Sequence, residues 1–305
     1  MTFAKIATVD VLGVSSIKKG KASYKRVTAS RKTSSFYMDG SLSLDIEAAL
    51  DSVADAYSIT RDPSDLLLLP LRAVSADRKN DNLDQFNSEE LLRFDSTQGR
   101  RVFATFVGKP HFVNHNAGNL ILSRGVVLDA HYNNQNPATD RVKDEVFEAT
   151  GKEASNDEFV ELLVGVDTRK DPMLARAYAS GSVDKFSMGA DVEATQCSIV
   201  GCDNIAHTEY QFCDHIRNKM GRRPVRMTNG QYRTAAEICL GTIFQEISGV
   251  DDPADRTAET QEGILRIVAD KRGLDQRREL VAFVLKHHRD IPDSLAGLIN
   301  SALTQ

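Results

Sequence analysis

The chain has 305 residues, of which 41% are hydrophobic and 27% charged, and its formal net charge is -5 at pH 7. This is enough for a sizeable core without disulfides or metals, and the acidic balance gives no general electrostatic reason to bind nucleic acid or an acidic membrane surface. The longest apolar run, at 66–71, is too short to span a bilayer, and the amino terminus lacks the apolar segment of a signal peptide. We therefore expect a globular protein of a reducing cytoplasm, without membrane or nucleic-acid partners.

The amino-terminal part of the chain predicts a solvated tail followed by two helices. Residues 18–32 are basic and rich in small side chains, a composition typical of a solvated terminal segment. Apolar residues recur at intervals of three and four over 41–57, where Ser43 is a candidate N-cap, and a shorter pattern of this kind covers 87–94.

The middle of the chain is richer in strands. Runs of β-branched and aromatic residues bounded by turn-forming residues predict strands at 101–107, 125–132, 158–167, 183–194 and 236–250. A helix is predicted over 171–181, because Asp stands at its N-cap, Pro at its first position and Gly after its end. Further periodic patterns predict helices at 257–273 and 277–290.

Three of the four cysteines lie close together with a histidine, in the segment "CSIVGCDNIAHTEYQFCDHI". The candidate metal ligands are Cys197, Cys202, Cys213 and His215. Three thiolates and one imidazole suit tetrahedral zinc, and four protein ligands leave no open position for a substrate. We therefore predict a structural zinc site in a loop insertion at about 195–220, with His207 as the alternative fourth ligand. The remaining cysteine, Cys239, lies in an apolar run and is expected to be a buried core thiol.

Two histidines, His111 and His115, lie four residues apart in "GKPHFVNHN" (108–116). Pro110 and the neighbouring β-branched and asparagine residues favour an extended chain, in which both histidines would share a face. The motif contains no carboxylate, which disfavours a two-histidine metal site. Taken alone, the residues leave two interpretations open, structural histidines or a catalytic base.

Several segments, taken in order, resemble the motif set of tailed-phage prohead maturation proteases, the group that shares the herpesvirus assemblin fold. These segments are "GKPHFVNHN", "GVVLDAHY", "SGSVDKFSMGADV" and "FQEISGVDDPADRTA". The segment "NDNLDQFNSEELLRF", which precedes these motifs, and the cysteine cluster are similar to sequences of the large-myovirus branch of that family. The resemblance covers about residues 60–256, and the chain extends well beyond the last family motif.

The resemblance implies a serine endopeptidase. It places the family's histidine on His115 and its nucleophilic serine on Ser187, and gives the other histidine of the motif no role. A serine hydroxyl is a poor nucleophile at neutral pH, and an imidazole can take its proton and later return it to the leaving amine. A third group should orient the imidazole. Glu246 is the first candidate for that role, followed by Asp191 and His131.

The resemblance also implies a fold and a setting. The fold would be α+β, with an assemblin-like β-barrel core, surrounding helices and the small zinc-binding insertion. The chain would divide into an amino-terminal segment at 1–58, a protease domain at 59–256 and a helical segment at 257–305.

The implied activity is cleavage of scaffold and capsid-associated proteins during head maturation. The implied partners are the major capsid protein and the scaffold or core proteins of the prohead, and the enzyme would act as a homodimer inside the prohead assembling in the host cytoplasm. The alternative is a non-enzymatic capsid scaffold or core protein that keeps the fold and a structural zinc site. Retention of both His115 and Ser187 favours the enzyme.

Overall fold

The structure is a computed structural model, which describes residues 46–217, 224–226, 230 and 232–251, together with short strands at 16–18, 21–23 and 266–267. The strands of its amino-terminal half are β1 (Ser16–Lys18), β2 (Lys21–Ser23), β3 (Leu66–Ser75), β4 (Asp84–Gln85), β5 (Phe94–Asp95), β6 (Arg100–Arg101), β7 (Pro110–Val113) and β8 (Gly125–Pro137). The later strands are β9 (Asn156–Asp167), β10 (Phe186–Asp191), β11 (Ala194–Cys197), β12 (Ile205–Ala206), β13 (Pro224–Arg226), β14 (Tyr232–Thr234), β15 (Glu237–Leu240), β16 (Ile243–Gly249) and β17 (Arg266–Ile267). The α-helices are α1 (Ile46–Tyr57), α2 (Ser88–Leu92), α3 (Asp140–Thr150), α4 (Pro172–Ala179) and α5 (Asp214–Arg217).

The described part of the chain is α+β, with more sheet than helix, as the sequence predicts. Its main element is a seven-stranded sheet in the order β10-β16-β7-β8-β9-β3-β17. All neighbouring strands are antiparallel except β16 and β7, which run parallel. A second, four-stranded sheet has the order β12-β11-β15-β4. Strands β11, β12 and β15 belong to the segment that connects β10 to β16, whereas β4 comes from earlier in the chain and pairs in parallel with β15.

Strand β3 shows why the central strands have nearly unbroken apolar sequences. Its residues are buried along the whole strand. Leu67 and Leu69 belong to the main core on one face of the sheet, whereas Leu66 and Leu68 pack on the other face with Leu50 of α1. A strand that is covered on both faces needs apolar residues at successive positions, so the run at 66–71 is a core strand.

The predicted β-barrel is not found among the described residues, because the seven-stranded sheet remains open. The sheet curls enough for Cα atoms of the edge strand β10 to come within 8 Å of Cα atoms in β3. A closed barrel also requires backbone hydrogen bonds between the two ends of the sheet. Strand β10 pairs with β16, and β3 pairs with β9 and β17, so no ladder joins β10 to β3.

Four predicted elements are confirmed and lie close to their expected positions. The segment at 125–132 belongs to β8, that at 158–167 to β9, and the described part of 41–57 to α1. The helix predicted over 171–181 is α4, in which the side chain of Asp171 accepts a hydrogen bond from the backbone N–H of Leu174 at 3.0 Å. The helix predicted at 87–94 and the strand predicted at 183–194 are present in shortened form as α2 and β10.

The strand predicted at 101–107 is wrong. Residues Val102–Phe106 form a 3-10 helix, in which Val102, Thr105 and Phe106 are buried. The ring of Phe106 stacks on that of Phe244, with 4.0 Å between centroids. Since the core-facing residues are three and four apart, a helical turn buries them together, whereas a strand would point them to opposite faces.

Two further predictions at the end of the chain differ from the structure. The strand predicted at 236–250 is divided into β15 and β16 by Gly241, whose φ of 61° lies in the left-handed region that favours glycine. The helix predicted at 257–273 is wrong at Arg266–Ile267, which form β17 and supply backbone partners to β3. The rest of that segment, the helix predicted at 277–290 and the N-cap Ser43 lie outside the described residues.

None of the helices in the described ranges has both the length and the apolar character needed to cross a membrane.

Candidate functional site

The three residues predicted for catalysis lie on, or directly after, three neighbouring strands of the seven-stranded sheet. Ser187 is in β10, Glu246 is in β16, and His115 follows the end of β7 by two residues. The order β10, β16, β7 within the sheet therefore brings together residues that are distant in the sequence.

Ser187 and Glu246 project from the same face of the sheet. In the antiparallel pair of β10 and β16, Ser187 lies opposite Ser248, and Gly189 lies opposite Glu246. Residues that face each other across a ladder, and residues two apart in one strand, have side chains on the same side. The preceding residue Phe186 points into the main core, so the candidate site lies on the other face of the sheet.

A β-bulge in β16 gives Glu246 this direction. Gly189 pairs with Glu246 but Ala190 pairs with Phe244, which leaves Gln245 as the extra residue. Without the bulge, Glu246 would share a face with Phe244, which is buried in the main core. The bulge therefore turns the carboxylate out of the core and toward the face of the candidate nucleophile.

A left-handed turn after β7 brings His115 to the same face. The strand ends at Val113, and Asn114 and His115 have φ values of 50° and 54°. The backbone N–H of Asn114 donates to the carbonyl oxygen of Gly249 at 2.9 Å, which ties the turn to β16. Positive φ is uncommon for residues other than glycine and is concentrated at functional sites. The expectation that His115 continues the strand and shares the face of His111 is therefore wrong.

His115 and Glu246 form a direct hydrogen bond. The Nδ1 atom of His115 lies 2.7 Å from Oε1 of Glu246, and the two side chains are 28% and 6% exposed. An ionised carboxylate can only accept a hydrogen bond, so Nδ1 carries the proton and, in a neutral ring, Nε2 has the free lone pair. This is the tautomer that a general base needs to take a proton through Nε2.

Two buried polar atoms near this pair have no hydrogen-bond partner among the residues that the structure describes. They are Nε2 of His115 and Oγ of Ser187. One is an acceptor and the other can donate, and neither is bonded to the other in this conformation. Ser187 is fully buried. Buried polar atoms without partners are costly and uncommon in native proteins.

The other two candidates for orienting the imidazole are held elsewhere. Asp191 accepts a hydrogen bond from Nε2 of Gln245 at 2.7 Å. His131 is in β8, opposite Glu161 of β9, and β7 separates β8 from β16. Within the described ranges, Glu246 is the acidic residue that contacts His115.

His111 is a structural histidine in the core. Its ring is fully buried, with Nδ1 at 3.0 Å from the carbonyl oxygen of Ile247 and Nε2 at 2.9 Å from the hydroxyl of Tyr178. A carbonyl can only accept, so Nδ1 carries the proton and the tyrosine hydroxyl donates to Nε2. Burial lowers the pKa of His111 to about 4, and burial also raises the pKa of Tyr178. Both groups are therefore neutral at pH 7, and His111 joins β7, β16 and α4.

The sequence analysis missed Ser248, which contacts the candidate site from its own strand. Its hydroxyl is fully buried and donates to Oε2 of Glu246 at 2.5 Å. The signal was present in the sequence, because Ser248 follows Glu246 by two positions and residues with that spacing in a strand share a face.

The four predicted metal ligands form one cluster. The ligand atoms of Cys197, Cys202, Cys213 and His215 all lie within 4.8 Å of one another. In a tetrahedral site with metal–sulfur bonds of about 2.3 Å, neighbouring ligand atoms are roughly 3.8 Å apart, so the cluster is compact enough to hold one metal ion. Within the cluster, Sγ of Cys197 lies 3.7 Å from Nδ1 of His215.

The other predictions for this region agree with the structure. His207 lies outside the cluster, and its Nδ1 is 3.2 Å from the carbonyl oxygen of Glu193. Cys239 is fully buried in the main core, as expected. Burial raises the pKa of the Cys197 thiol to about 12, so a bound cation would be needed to hold this residue as a thiolate at neutral pH.

No protein-family model, curated protein or solved structure matches this chain.

Proposed function

We propose that the chain is a serine endopeptidase of the tailed-phage prohead maturation type, with Ser187 as nucleophile, His115 as general base and Glu246 as the residue that orients the imidazole. The observation that supports this most directly is the 2.7 Å contact between Nδ1 of His115 and Glu246, beside a buried serine hydroxyl without a partner. Three side chains of the required types thus lie at one face of the sheet, two on β10 and β16 and one in the turn after β7.

In this proposal the reaction proceeds through an acyl-enzyme. Oγ of Ser187 bonds to the carbonyl carbon of the scissile peptide while its proton passes to Nε2 of His115. The same proton then goes to the leaving nitrogen as the carbon–nitrogen bond breaks. Water, activated by His115, hydrolyses the ester and regenerates the serine. The carboxylate of Glu246 accepts the hydrogen bond from Nδ1–H of His115 throughout the reaction and stabilises the imidazolium that forms.

The proposed substrates are the scaffold and capsid-associated proteins of a prohead, with the major capsid protein among the partners. The proposed state is a homodimer acting inside the prohead in the host cytoplasm. These points derive from the resemblance of the motifs around His115, Ser187 and Glu246 to those of the prohead proteases. The assemblin-like arrangement of the sheet is part of the same proposal.

We propose that the metal is zinc and that its role is structural. Thiolate and imidazole ligands in a ratio of three to one are typical of closed tetrahedral zinc sites. The four ligands lie between β10 and β16, the strands that carry Ser187 and Glu246. Zinc would supply no chemistry to the reaction, since all four of its positions would be taken by protein ligands.

One observation favours the alternative, a non-enzymatic scaffold or core protein. Ser187 is fully buried and is not bonded to His115, so a peptide carbonyl cannot reach the hydroxyl in this conformation. An enzyme would have to open this face before it reacts. The two candidates therefore differ in whether any condition exposes Ser187.

The proposed function is tested by an intact-mass time course. Wild type, Ser187→Ala and Ser123→Ala are each incubated with the capsid and scaffold proteins of the same source genome. Ser123 is equally buried but its hydroxyl bonds to backbone carbonyls of His111 and Gly125, so it is a matched control. Fragments formed by wild type and Ser123→Ala, but not by Ser187→Ala, are the expected result. Equal fragments from Ser187→Ala would remove the serine from the mechanism, and no fragments from any of them would favour the scaffold.

A further inference from the structure

Both oxygens of the Glu246 carboxylate are engaged, and two residues outside the proposed triad define its position. Oε1 is 2.7 Å from Nδ1 of His115, and Oε2 accepts from the hydroxyl of Ser248 at 2.5 Å. Ser248 is fully buried and lies directly opposite Ser187 in the ladder between β10 and β16. The hydroxyl is therefore held by the same strand pair that holds the nucleophile.

Gly189 shapes the other side of the carboxylate. It lies directly opposite Glu246, and a Cβ atom added there would be 2.7 Å from Oε1 and 3.0 Å from Cγ of Glu246. These distances are shorter than ordinary van der Waals contact, so the glutamate side chain lies across the backbone of β10 only because position 189 has no side chain. The glycine of the "SMG" segment thus has a steric role two residues after the candidate nucleophile.

We infer that Ser248 and Gly189 are positioning residues, which fix the Glu246 carboxylate so that it holds His115 in the tautomer and orientation of a general base. This inference rests on the proposed function. A glutamate side chain has several rotatable bonds, and one hydrogen bond to a partly exposed loop histidine leaves the carboxylate free to rotate. The short bond from Ser248 removes that freedom, and hydrogen bonds to a charged acceptor are among the stronger ones in proteins.

The test compares four variants with wild type, using two readouts. Ser248→Ala removes the donor, Ser248→Thr retains a hydroxyl, Gly189→Ala pushes the carboxylate aside, and Ser123→Ala removes an equally buried serine hydroxyl that bonds only to backbone. Gly189→Ala also serves if Ser248→Ala does not fold, because its added methyl meets the flexible end of a side chain.

The first readout is the proton NMR signal of His115 Nδ1–H, assigned by its absence in His115→Gln. A proton held between an imidazole and a carboxylate exchanges slowly with water and resonates downfield. We expect this signal in wild type, Ser248→Thr and Ser123→Ala, and its loss by broadening in Ser248→Ala and Gly189→Ala. An unchanged signal in both of the latter variants would overturn the inference.

The second readout is labelling by a fluorophosphonate, which forms a phosphorus–oxygen bond to Ser187 as fluoride leaves and the serine proton passes to His115. We expect the maximal labelling rate to fall about tenfold to a hundredfold in Ser248→Ala, with half-saturating probe concentration unchanged and the rate restored in Ser248→Thr. A full rate in Ser248→Ala would contradict the inference. If wild type reacts neither alone nor in the presence of the capsid and scaffold proteins, the proposed function fails, and the NMR signal still decides whether Ser248 and Gly189 position the carboxylate.

Discussion

The seven-stranded sheet and the insertion that carries the cluster of candidate metal ligands differ in how much apolar packing supports them. The sheet lies between two apolar clusters, one on each face, and its strands are joined by long backbone ladders. The insertion has a small cluster of four buried residues, one of which, Cys197, is itself a candidate ligand. Core packing can hold the sheet without help, whereas we expect the insertion to depend on the cation proposed for its cluster. Four changes test this contrast between a sheet held by core packing and a loop that we expect to need a metal ion.

Removal of the metal should have the largest effect, and it should be confined to the insertion. Cys213→Ser takes away one of the four ligands, and structural zinc in small domains contributes on the order of 10 kcal/mol of folding free energy. We expect metal analysis to fall from about one zinc per chain to near zero. Hydrogen exchange should show loss of amide protection at 197–217 and retained protection in β3, β8 and β9.

His207→Ala is the matched control for that experiment, because His207 lies outside the cluster. It should keep its metal. Full metal content in Cys213→Ser, or an equal loss in His207→Ala, would show that the ligand set is wrong.

His115→Ala should abolish turnover without disturbing the sheet. The imidazole is the proposed general base, and loss of such a base lowers turnover by at least about 10⁴-fold. Its side chain is partly exposed at the end of β7, so the midpoint of urea unfolding should change little. Normal turnover in this variant would exclude the mechanism.

His111→Ala offers the contrast, since removal of a fully buried histidine should lower the unfolding free energy by about 2–4 kcal/mol.

Glu246→Gln should lower turnover by about 10³-fold while leaving the fold intact. An amide of the same shape no longer supplies a negative charge and can present a donor to His115, which favours the wrong tautomer. Gln245→Ala, at the neighbouring bulge residue whose side chain bonds to Lys109 and Asp191, should have a much smaller effect on turnover. Comparable losses in both variants would indicate damage to β16 and not a specific role of the carboxylate.

His111 should make the sheet less stable in mild acid. Its pKa is lowered by burial from 6.5 to about 4, so the unfolded chain binds a proton between these values that the folded chain does not. The unfolding free energy should therefore fall as the pH is lowered from about 6.5 to 4, by about 3 kcal/mol in total from this group. Urea titrations of wild type and His111→Gln at several pH values measure the difference. A wild-type slope no steeper than that of the variant would contradict the assignment.

Much of the local structure could be predicted from the sequence. Strands β8 and β9 and helix α4 follow from β-branched runs and from the Asp, Pro and Gly signals around 171–181. The cluster of candidate metal ligands could be predicted because Cys197, Cys202, Cys213 and His215 lie within one short segment. These features depend mainly on residues that are close together in the sequence, so short-range sequence patterns can predict them.

The prediction failed where contacts from distant parts of the chain decide the conformation. The segment at 101–107 has residues suited to a strand, but its packing against Phe244 makes it a 3-10 helix. The carboxy-terminal residues 266–267 have a helical pattern, but pairing with β3 makes them a strand. Sheet closure likewise depends on whether distant edges meet, and composition carries no signal for that.

The sequence by itself determined which side chains are available for chemistry. His115, Ser187 and Glu246 could be selected by their resemblance to known motifs, and the three thiols with His215 by their spacing. The tertiary structure alone decided their directions. A regular strand through Gln245 would bury the Glu246 carboxylate in the main core, and a strand continued past Val113 would leave His115 on the wrong face. The bulge and the left-handed turn reverse both directions. One extra residue in a strand changes the face on which every later side chain of that strand lies, and the positive φ values of Asn114 and His115 take the chain out of the strand conformation.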